Sequence, residues 1–586
     1  MRQWMVAAKK ADFYAIAEKF HVDPVVARII RNREVIGEKN IRIYLGGNLS
    51  DLSDPHQMKD MDRLVEILAQ KIRKQVHIRI IGDYDVDGVT SSHLFLTALR
   101  RVGAKVDVVI PHRIQDGYGL SLHLLQQAKE DGVDTILTCD NGIAAIDEIA
   151  WAKAQKMTVL VTDHHAVPFE EHEGRRTEKK SLADAVVNPH QQDCRYPYKE
   201  LCGAGVAWNV IRVLYENYDM DKREAEDLLD FVAMATVCDV MSLTGENRIL
   251  VKEGLKRIRH TKNIGLQALM QACNVQPENI SAYHFGYVLG PCVNATGRLD
   301  TARHALRLFE TGQETEAEEI ARDLVDLNQE RKELTLQGVE MAKKLCEEGG
   351  YEKDPVLVLF LPDVHESIAG LIAGRIREMY NRPVFVLTRG EDGVKGSGRS
   401  TENYSMYENM CGCAELFTKF GGHPMAAGLS LPEENVEKFR RKINENCPLT
   451  VEEVCPDIHI DMAMPVGYVS TELVHQFALL EPFGKDNPSP LFADRNLSIS
   501  RMWVIGKNRN VLRMSVLSEY GQPVPVIFFG DVETLFAYFT EKFGQKEVEN
   551  ALHGRKNRIL FSMVYTAKVD FYQGNENLQL EMKYYR

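Results

Sequence analysis

Between residues 77 and 161 four short apolar runs alternate with stretches of helical spacing, and that pattern leaves few architectures open. His77-Ile78-Arg79-Ile80-Ile81, Val106-Asp107-Val108-Val109-Ile110, Thr135-Ile136-Leu137-Thr138 and Thr158-Val159-Leu160-Val161 have strand length and many β-branched residues. Val89 to Val102, Ser121 to Lys129 and Ala144 to Ala154 carry apolar residues at helical intervals between them. Strands joined through intervening helices are crossover-connected and therefore parallel. The expected fold class is α/β, built on a mainly parallel sheet.

A chain of 586 residues exceeds what one core supports. Residues 1–75 read as polar and helical, and 76–260 as the α/β domain just described. Residues 261–348 are helical, and Glu314 to Cys346 is long, charged and free of proline, as a connecting helix would be. A second α/β domain is expected over 349–450, opening at Pro355 with a strand at Val356 to Phe360, a helix at Ile368 to Tyr380 and a strand at Pro383 to Leu387. After Pro448 and Pro456, β-branched and aromatic segments such as Leu497-Ser498-Ile499 and Val524 to Phe529 predict a small all-β barrel over 451–586.

Composition narrows the function. The longest apolar runs, such as Val356 to Leu361, are far short of the roughly 20 residues that cross a bilayer, so no membrane role is expected. The N-terminus has no signal-peptide core. The eleven cysteines are scattered, and Cys411 and Cys413 have no second pair with which to hold zinc. Reduced thiols and a cytoplasmic location are expected. A net charge of −13 argues against a protein that coats duplex DNA, but not against an enzyme whose acidic site binds cations.

The chemistry sits at strand ends. Strand 77–81 runs into Gly82-Asp83-Tyr84-Asp85-Val86-Asp87-Gly88, three alternating carboxylates at the C-terminal edge of a parallel sheet, where such sheets bind ligands. Alternating carboxylates suit a hard cation; the plainer alternative is a solvated acidic turn. Strand 135–138 ends in Cys139-Asp140-Asn141-Gly142 and strand 158–161 in Thr162-Asp163-His164-His165, which brings oxygen and imidazole donors to the same edge. Asp239 follows a helix whose C-terminal dipole disfavours a carboxylate, unless a cation is there.

In this order, Asp-Tyr-Asp-Val-Asp-Gly, Asp140-Asn141-Gly142, Asp163-His164-His165 and Val237-Cys238-Asp239-Val240 resemble the DHH phosphoesterase superfamily. Gly421-Gly422-His423 resembles the DHHA1 domain that accompanies it. Further stretches narrow the resemblance to the RecJ family of single-stranded-DNA exonucleases: Ile110-Pro111-His112-Arg113, Gly117-Tyr118-Gly119, Asn294-Ala295-Thr296-Gly297-Arg298-Leu299, His365-Glu366-Ser367, Ser397-Gly398-Arg399-Ser400 and Glu481-Pro482-Phe483-Gly484. It extends over roughly residues 40 to 586.

That resemblance implies a metal-dependent 5′→3′ exonuclease on single-stranded DNA, in repair and recombination, with an oligonucleotide-binding barrel at its C-terminus. It implies one or two divalent ions, Mn²⁺ or alternatively Mg²⁺. Asp85 would hold one, Asp87, His164 and Asp239 the second, and Asp140 would bridge. His165 would contact the scissile phosphate as donor or general acid, with Asp163 orienting an imidazole. Arg113, Ser397 and Arg399 would grip a terminal 5′-phosphate, and Arg298, Arg303, Gly422 and His423 would contact the strand. Expected partners are single-stranded DNA, a helicase and a single-strand-binding protein, and the chain is expected to be a monomer.

Three positions depart from the family pattern. Ile81 stands where some relatives place a metal-binding histidine, which leaves Asp83 as the substitute ligand. Ser367 and Asp486 stand where glycine is expected. Two other readings are a superfamily phosphodiesterase acting on short oligonucleotides or cyclic dinucleotides, and a non-catalytic replication scaffold. The extra β domain speaks against the first and the full ligand set against the second.

Overall fold

A five-stranded, all-parallel sheet carries the acidic segments. It is built from β1 (His77–Ile81), β2 (Lys105–Val109), β3 (Thr135–Cys139), β4 (Thr158–Thr162) and β5 (Ala185–Val187), in the order β2-β1-β3-β4-β5. The structure is a computed structural model that describes residues 3–586 apart from 114–115, 117–118, 173–174, 391–392, 455–456, 507–509 and 573–574. Gly117 and Tyr118 of the Gly117-Tyr118-Gly119 stretch, and Pro456, therefore lie outside the described residues.

The sheet is buried on both faces, which is why its strands are near-continuous apolar runs: Ile78, Ile80, Ile136, Leu137, Val159 and Leu160 are all fully covered. Helix α1 (Val86–Arg101) begins three residues earlier than its apolar spacing predicts, because Asp85 caps it by accepting from the Gly88 N–H at 3.1 Å. Helices α2 (Gly203–Asn217) and α3 (Leu229–Cys238) pack on α1 and are almost wholly buried.

The chain divides into two compact units. One comprises residues 52–241 and 249–456; the other comprises 3–51, 242–248 and 457–586. In the first unit, α4 (Gly290–Leu299) and the 36-residue α5 (Glu314–Gly349) lead to a mixed five-stranded sheet. There β6 (Leu357–Phe360) is parallel to β7 (Val384–Gly390), and β7, β8 (Gly393–Arg399), β10 (Ala426–Leu431) and β9 (Lys419–His423) then pair antiparallel in that order. Helix α6 (Glu366–Tyr380) packs on β7 and β8.

In the second unit the strand pairings close into a ring. Phe492–Ile505 pairs with Val511–Leu517, that with Pro523–Phe529, that in parallel with Asn575–Tyr585, that with Leu560–Tyr572, and the last returns to Phe492–Ile505. Met502, Met514, Val516, Phe561, Met563 and Tyr565 fill its core. Val26, Ile29, Ile30 and Ile41 join the same core, so the first part of the helical segment expected over 1–75 belongs with this unit. Residues 52–75, with the helix Met61–Arg73, belong with the first.

The Glu481-Pro482-Phe483-Gly484 stretch lies in a buried polar clasp. Arg248, 1% exposed, donates to the carbonyls of Tyr44, Leu480 and Leu479 at 2.8, 2.9 and 2.8 Å, and its guanidinium lies 3.9 Å from the Tyr44 ring centroid. Asn487 donates to the carbonyls of Leu480 and Pro482 at 2.8 and 2.7 Å. Asp486 adopts φ +60°, which is why glycine is expected there and why a short polar residue is tolerated. Arg248→Met keeps the volume but takes the guanidinium donor from the Tyr44 and Leu479 carbonyls, while the Leu480 carbonyl keeps Asn487. Denaturant unfolding should show a loss of roughly 3–5 kcal/mol.

Candidate metal centre

Three clusters of ligand atoms meet at the C-terminal edge of the parallel sheet. Asp83, Asp85 and Asp140 form one; Asp87, His164 and Asp239 form a second; Asp140, His164 and His165 form a third, and within each the donor atoms lie within 4.8 Å of one another. His164 Nε2 belongs to the second and third, 3.0 Å from Asp140 Oδ1, 3.7 Å from Asp87 Oδ2 and 3.6 Å from Asp239 Oδ2. Every ligand named from the sequence is brought into this cluster.

Local geometry explains how six such groups are held. Asp83, Asp85 and Asp87 line the passage from β1 into α1, and Asp140 follows β3 in the left-handed conformation, at φ +61°. Gly88 is required because a Cβ there would stand 2.4 Å from the Asp83 carbonyl oxygen. Asp87 accepts the Gly203 and Ala204 N–H groups at 2.6 and 2.7 Å, which seats its carboxylate on the N-terminus of α2. Asn294 accepts from the Val86 N–H at 3.1 Å and ties α4 to the same turn. Sequence reading missed Gly203, Ala204 and Asn294 as supports, although Cys202-Gly203-Ala204-Gly205 at a helix start was the available signal.

Asp163 has a different task. Its Oδ1 accepts from the backbone N–H groups of His164 and His165, its Oδ2 accepts from the Ile143 N–H, and its Oδ1 lies 2.8 Å from His165 Nδ1. The imidazole it orients is His165.

Electrostatics fit a divalent cation. Burial, and after it the charge of Asp85, holds the Asp83 carboxyl well above the usual range; burial, then Asp87 and Asp85, does the same to Asp140. Desolvation and then Asp87 raise Asp85. Burial keeps the His164 imidazole neutral, as a ligand must be, against the pull of Asp87. Asp83 Oδ1 and His164 Nε2 are buried without a hydrogen bond among the described residues, a costly arrangement that a cation would relieve. For His165, burial is opposed and overcome by the Asp163 hydrogen bond and surrounding carboxylates, which bring it to about 9.

A pH dependence follows. The folded metal-free chain binds protons at Asp83 and Asp140 more tightly than the unfolded chain does, so its stability falls as pH rises from the ordinary carboxylate range through those raised values. Chelator should therefore lower the Tm more at pH 8 than at pH 5.5, and added Mn²⁺ should restore it. Scanning fluorimetry with and without chelator checks this.

A cationic group lies nearby in the same unit. Arg298 donates to the Ser367 carbonyl at 2.7 Å and is lowered to about 10, first by burial and then by Arg113, Arg331 and Arg399. Arg113 packs 5.0 Å from the Tyr84 ring centroid, and Arg399 donates to the Gly398 carbonyl at 2.8 Å. None of Arg113, Arg298 and Arg399 forms an ion pair among the described residues, and guanidinium groups in that state suit an anion. Ser397, Arg113 and Tyr84 line a cavity of about 440 Å³ with Lys395 and Lys419. Arg399 and Arg331 line a groove of about 1180 Å³ with Arg375 and Arg377.

Ser367 contacts Arg298 through its backbone, so having serine where glycine was expected leaves that contact intact. Gly422 has φ +152°, and a Cβ there would stand 2.5 Å from the Ala426 carbonyl oxygen; His423 is exposed beside it at the end of β9. Arg303 is exposed on the helix Ala302–Glu310 and lines neither hollow.

Comparison with known proteins identifies the family. Residues 77–236 match the DHH family N-terminal domain, 353–447 the DHHA1 domain and 460–584 the RecJ OB domain. The chain is 32% identical over 512 residues to the single-stranded-DNA-specific exonuclease RecJ of Bacillus subtilis, a match spanning 87% of this chain and 63%, less than two thirds, of that one. It is 32% identical over 581 residues to the Haemophilus influenzae protein of the same name, covering 96% of each. The crystal structure of RecJ from Thermus thermophilus in complex with Mn²⁺ superposes with a TM-score of 0.81 at 25% identity, over all of this chain and 79% of that one. The α/β class and the C-terminal oligonucleotide-binding domain expected from the sequence are both present. With near-complete coverage of a relative at this identity, the chain belongs to the RecJ family of single-stranded-DNA-specific exonucleases.

Proposed function

We propose that this chain hydrolyses single-stranded DNA from its 5′ end with divalent metal, in DNA repair and recombination. The observation that carries the proposal is the convergence of Asp83, Asp85, Asp87, Asp140, His164 and Asp239 on one buried, carboxylate-rich spot beside arginines that form no ion pair among the described residues.

Asp83, Asp85 and Asp140 would hold one ion, and Asp87, His164 and Asp239 a second, with Asp140 shared. Mn²⁺ suits the mixed imidazole–carboxylate set, with Mg²⁺ as the alternative. Bound there, such ions supply Lewis acidity and a water acidic enough to be a nucleophile at neutral pH. The chain's own groups do the rest. His165, fixed by Asp163, whose hydrogen bond favours its protonated form, donates to the scissile phosphate or the departing oxygen. Arg113, Ser397 and Arg399 grip the terminal 5′-phosphate and so select an end over an internal bond. Arg298, Gly422 and His423 are assigned to the strand beyond it, and Arg303 to a more peripheral contact.

No described helix is long and apolar enough to cross a membrane. The ten described cysteines are free thiols, which supports a reducing, cytoplasmic setting. A monomer is proposed, with a helicase to supply single strands and a single-strand-binding protein to keep them open. The test is digestion of 5′- and 3′-labelled single strands and blunt duplexes with Mn²⁺, Mg²⁺ or chelator. Release of labelled mononucleotide from the 5′-labelled single strand, dependent on metal, is expected. Preference for duplex, or activity in chelator, would overturn the proposal.

A further inference from the structure

The first unit contains a cavity of about 710 Å³ that the metal centre does not use. Its walls come from the far ends of two helices that carry metal-centre carboxylates. On α1, Asp85 and Asp87 stand at the N-terminus, while His93 and Arg100 face the cavity further along. On α3, Asp239 caps the C-terminus, while Asp230 and Phe231 line the cavity from the first turn. Six residues separate Asp87 from His93 and nine separate Asp230 from Asp239, which sets the cavity about 9–14 Å along the helices from the acidic cluster.

The lining has three chemistries. Phe231, Phe309 and the ring of His93 form an aromatic floor, with centroids 4.5 Å apart for His93–Phe231 and 5.0 Å for Phe231–Phe309. His93 is 5% exposed, and its Nδ1 has no hydrogen-bond partner among the described residues. The rim is of mixed charge. Arg257 is engaged by Glu226 and Glu253, Lys256 by Glu253, and Lys262 lies 3.4 Å from Asp227, with Glu310 also in the lining; Arg100 and His260 are the cations there that form no ion pair among the described residues. Asp230 is already satisfied by the Thr261 hydroxyl at 2.7 Å and the Phe231 N–H at 2.8 Å.

We propose that this cavity is a second, non-catalytic site for a nucleoside 5′-monophosphate. A planar heterocycle fits an aromatic floor and offers ring heteroatoms to a buried imidazole nitrogen. A phosphate fits Arg100 and His260 at the rim. The volume lies in the range of pockets that enclose small ligands. The choice of ligand rests on the exonuclease reading, which makes mononucleotides the product and the small anion that accumulates around the working enzyme.

Calorimetric titration of the full chain with deoxyadenosine monophosphate tests this. Saturable binding is expected in wild type and in Ser397→Ala/Arg399→Ala, which removes phosphate contacts of the proposed active site. At least tenfold weaker binding is expected in Arg100→Ala/His260→Ala, where both side chains are exposed and the fold should be kept. His93→Leu should weaken binding while leaving competition by inorganic phosphate at the rim. Binding lost in Ser397→Ala/Arg399→Ala but kept in Arg100→Ala/His260→Ala would overturn the proposal, as would no saturation up to about 1 mM. The titration needs no turnover, so its failure is distinct from failure to cleave DNA.

Discussion

Asp140→Asn is expected to lower kcat for single-strand digestion by roughly 10³-fold or more while leaving the metal-free protein at least as stable as wild type. Asparagine tolerates the left-handed backbone that Asp140 adopts at φ +61°, which alanine would occupy with strain, so the change removes charge and little else. Asp140 belongs to two of the three ligand clusters and lies 3.0 Å from His164, so no other single carboxylate is placed to serve both ions. Its carboxyl is pushed well up by burial and then by Asp87, Asp85 and Asp239, and neutralising it relieves that repulsion. Steady-state kinetics and a thermal melt in chelator measure the two halves. A variant that digests at near wild-type rate would remove Asp140 from the mechanism; one that is inactive but much less stable would point to misfolding instead.

His165→Ala is expected to lower kcat by roughly 10²–10⁴-fold with little change in KM or Mn²⁺ affinity. The reason is its position: His165 is partly exposed and fixed by Asp163, whereas His164 is buried among three carboxylates. His164→Ala should instead weaken Mn²⁺ binding, and calorimetric titration of the two variants separates donor from ligand. Asp163→Asn acts through His165. Losing the charge-assisted hydrogen bond removes the largest contribution that raises His165, so the protonated form is lost at lower pH and the alkaline limb of the activity profile should move toward neutrality. Equal loss of Mn²⁺ affinity in His164→Ala and His165→Ala would make both residues ligands.

The parallel sheet was legible because buried strands leave β-branched runs between glycine-rich or polar turns. Ala185–Val187 was not, since three residues carry no periodicity. The start of α1 was misplaced for an instructive reason: Asp85 caps the helix through Gly88 and also faces the metal cluster, and the spacing of apolar residues reports neither role. The union of residues 3–51 with the C-terminal barrel was also invisible, because it rests on contacts such as Asp23 N–H to Gln476, more than 400 residues apart. At the site, the ligand types and their common edge could be read from strand ends. The pairing of Asp163 with His165 could not, because it depends on a turn only two residues long. Nor could the seating of Asp87 on α2, which joins segments 116 residues apart.

The acidic turn of β1 has three inequivalent carboxylates. Asp87 is held by helix N-terminal amides and groups with His164, while Asp83 and Asp85 group with Asp140. With Ile81 fully buried and unable to ligate, Asp83 is the group left to complete that first cluster. Anomalous diffraction from crystals grown with Mn²⁺ tests this arrangement most directly. The account predicts manganese peaks contacted by Asp83, Asp85 and Asp140 and by Asp87, His164 and Asp239, with Asp140 common to both. Peaks only elsewhere, or a bound ion that Asp140 does not touch, would contradict it.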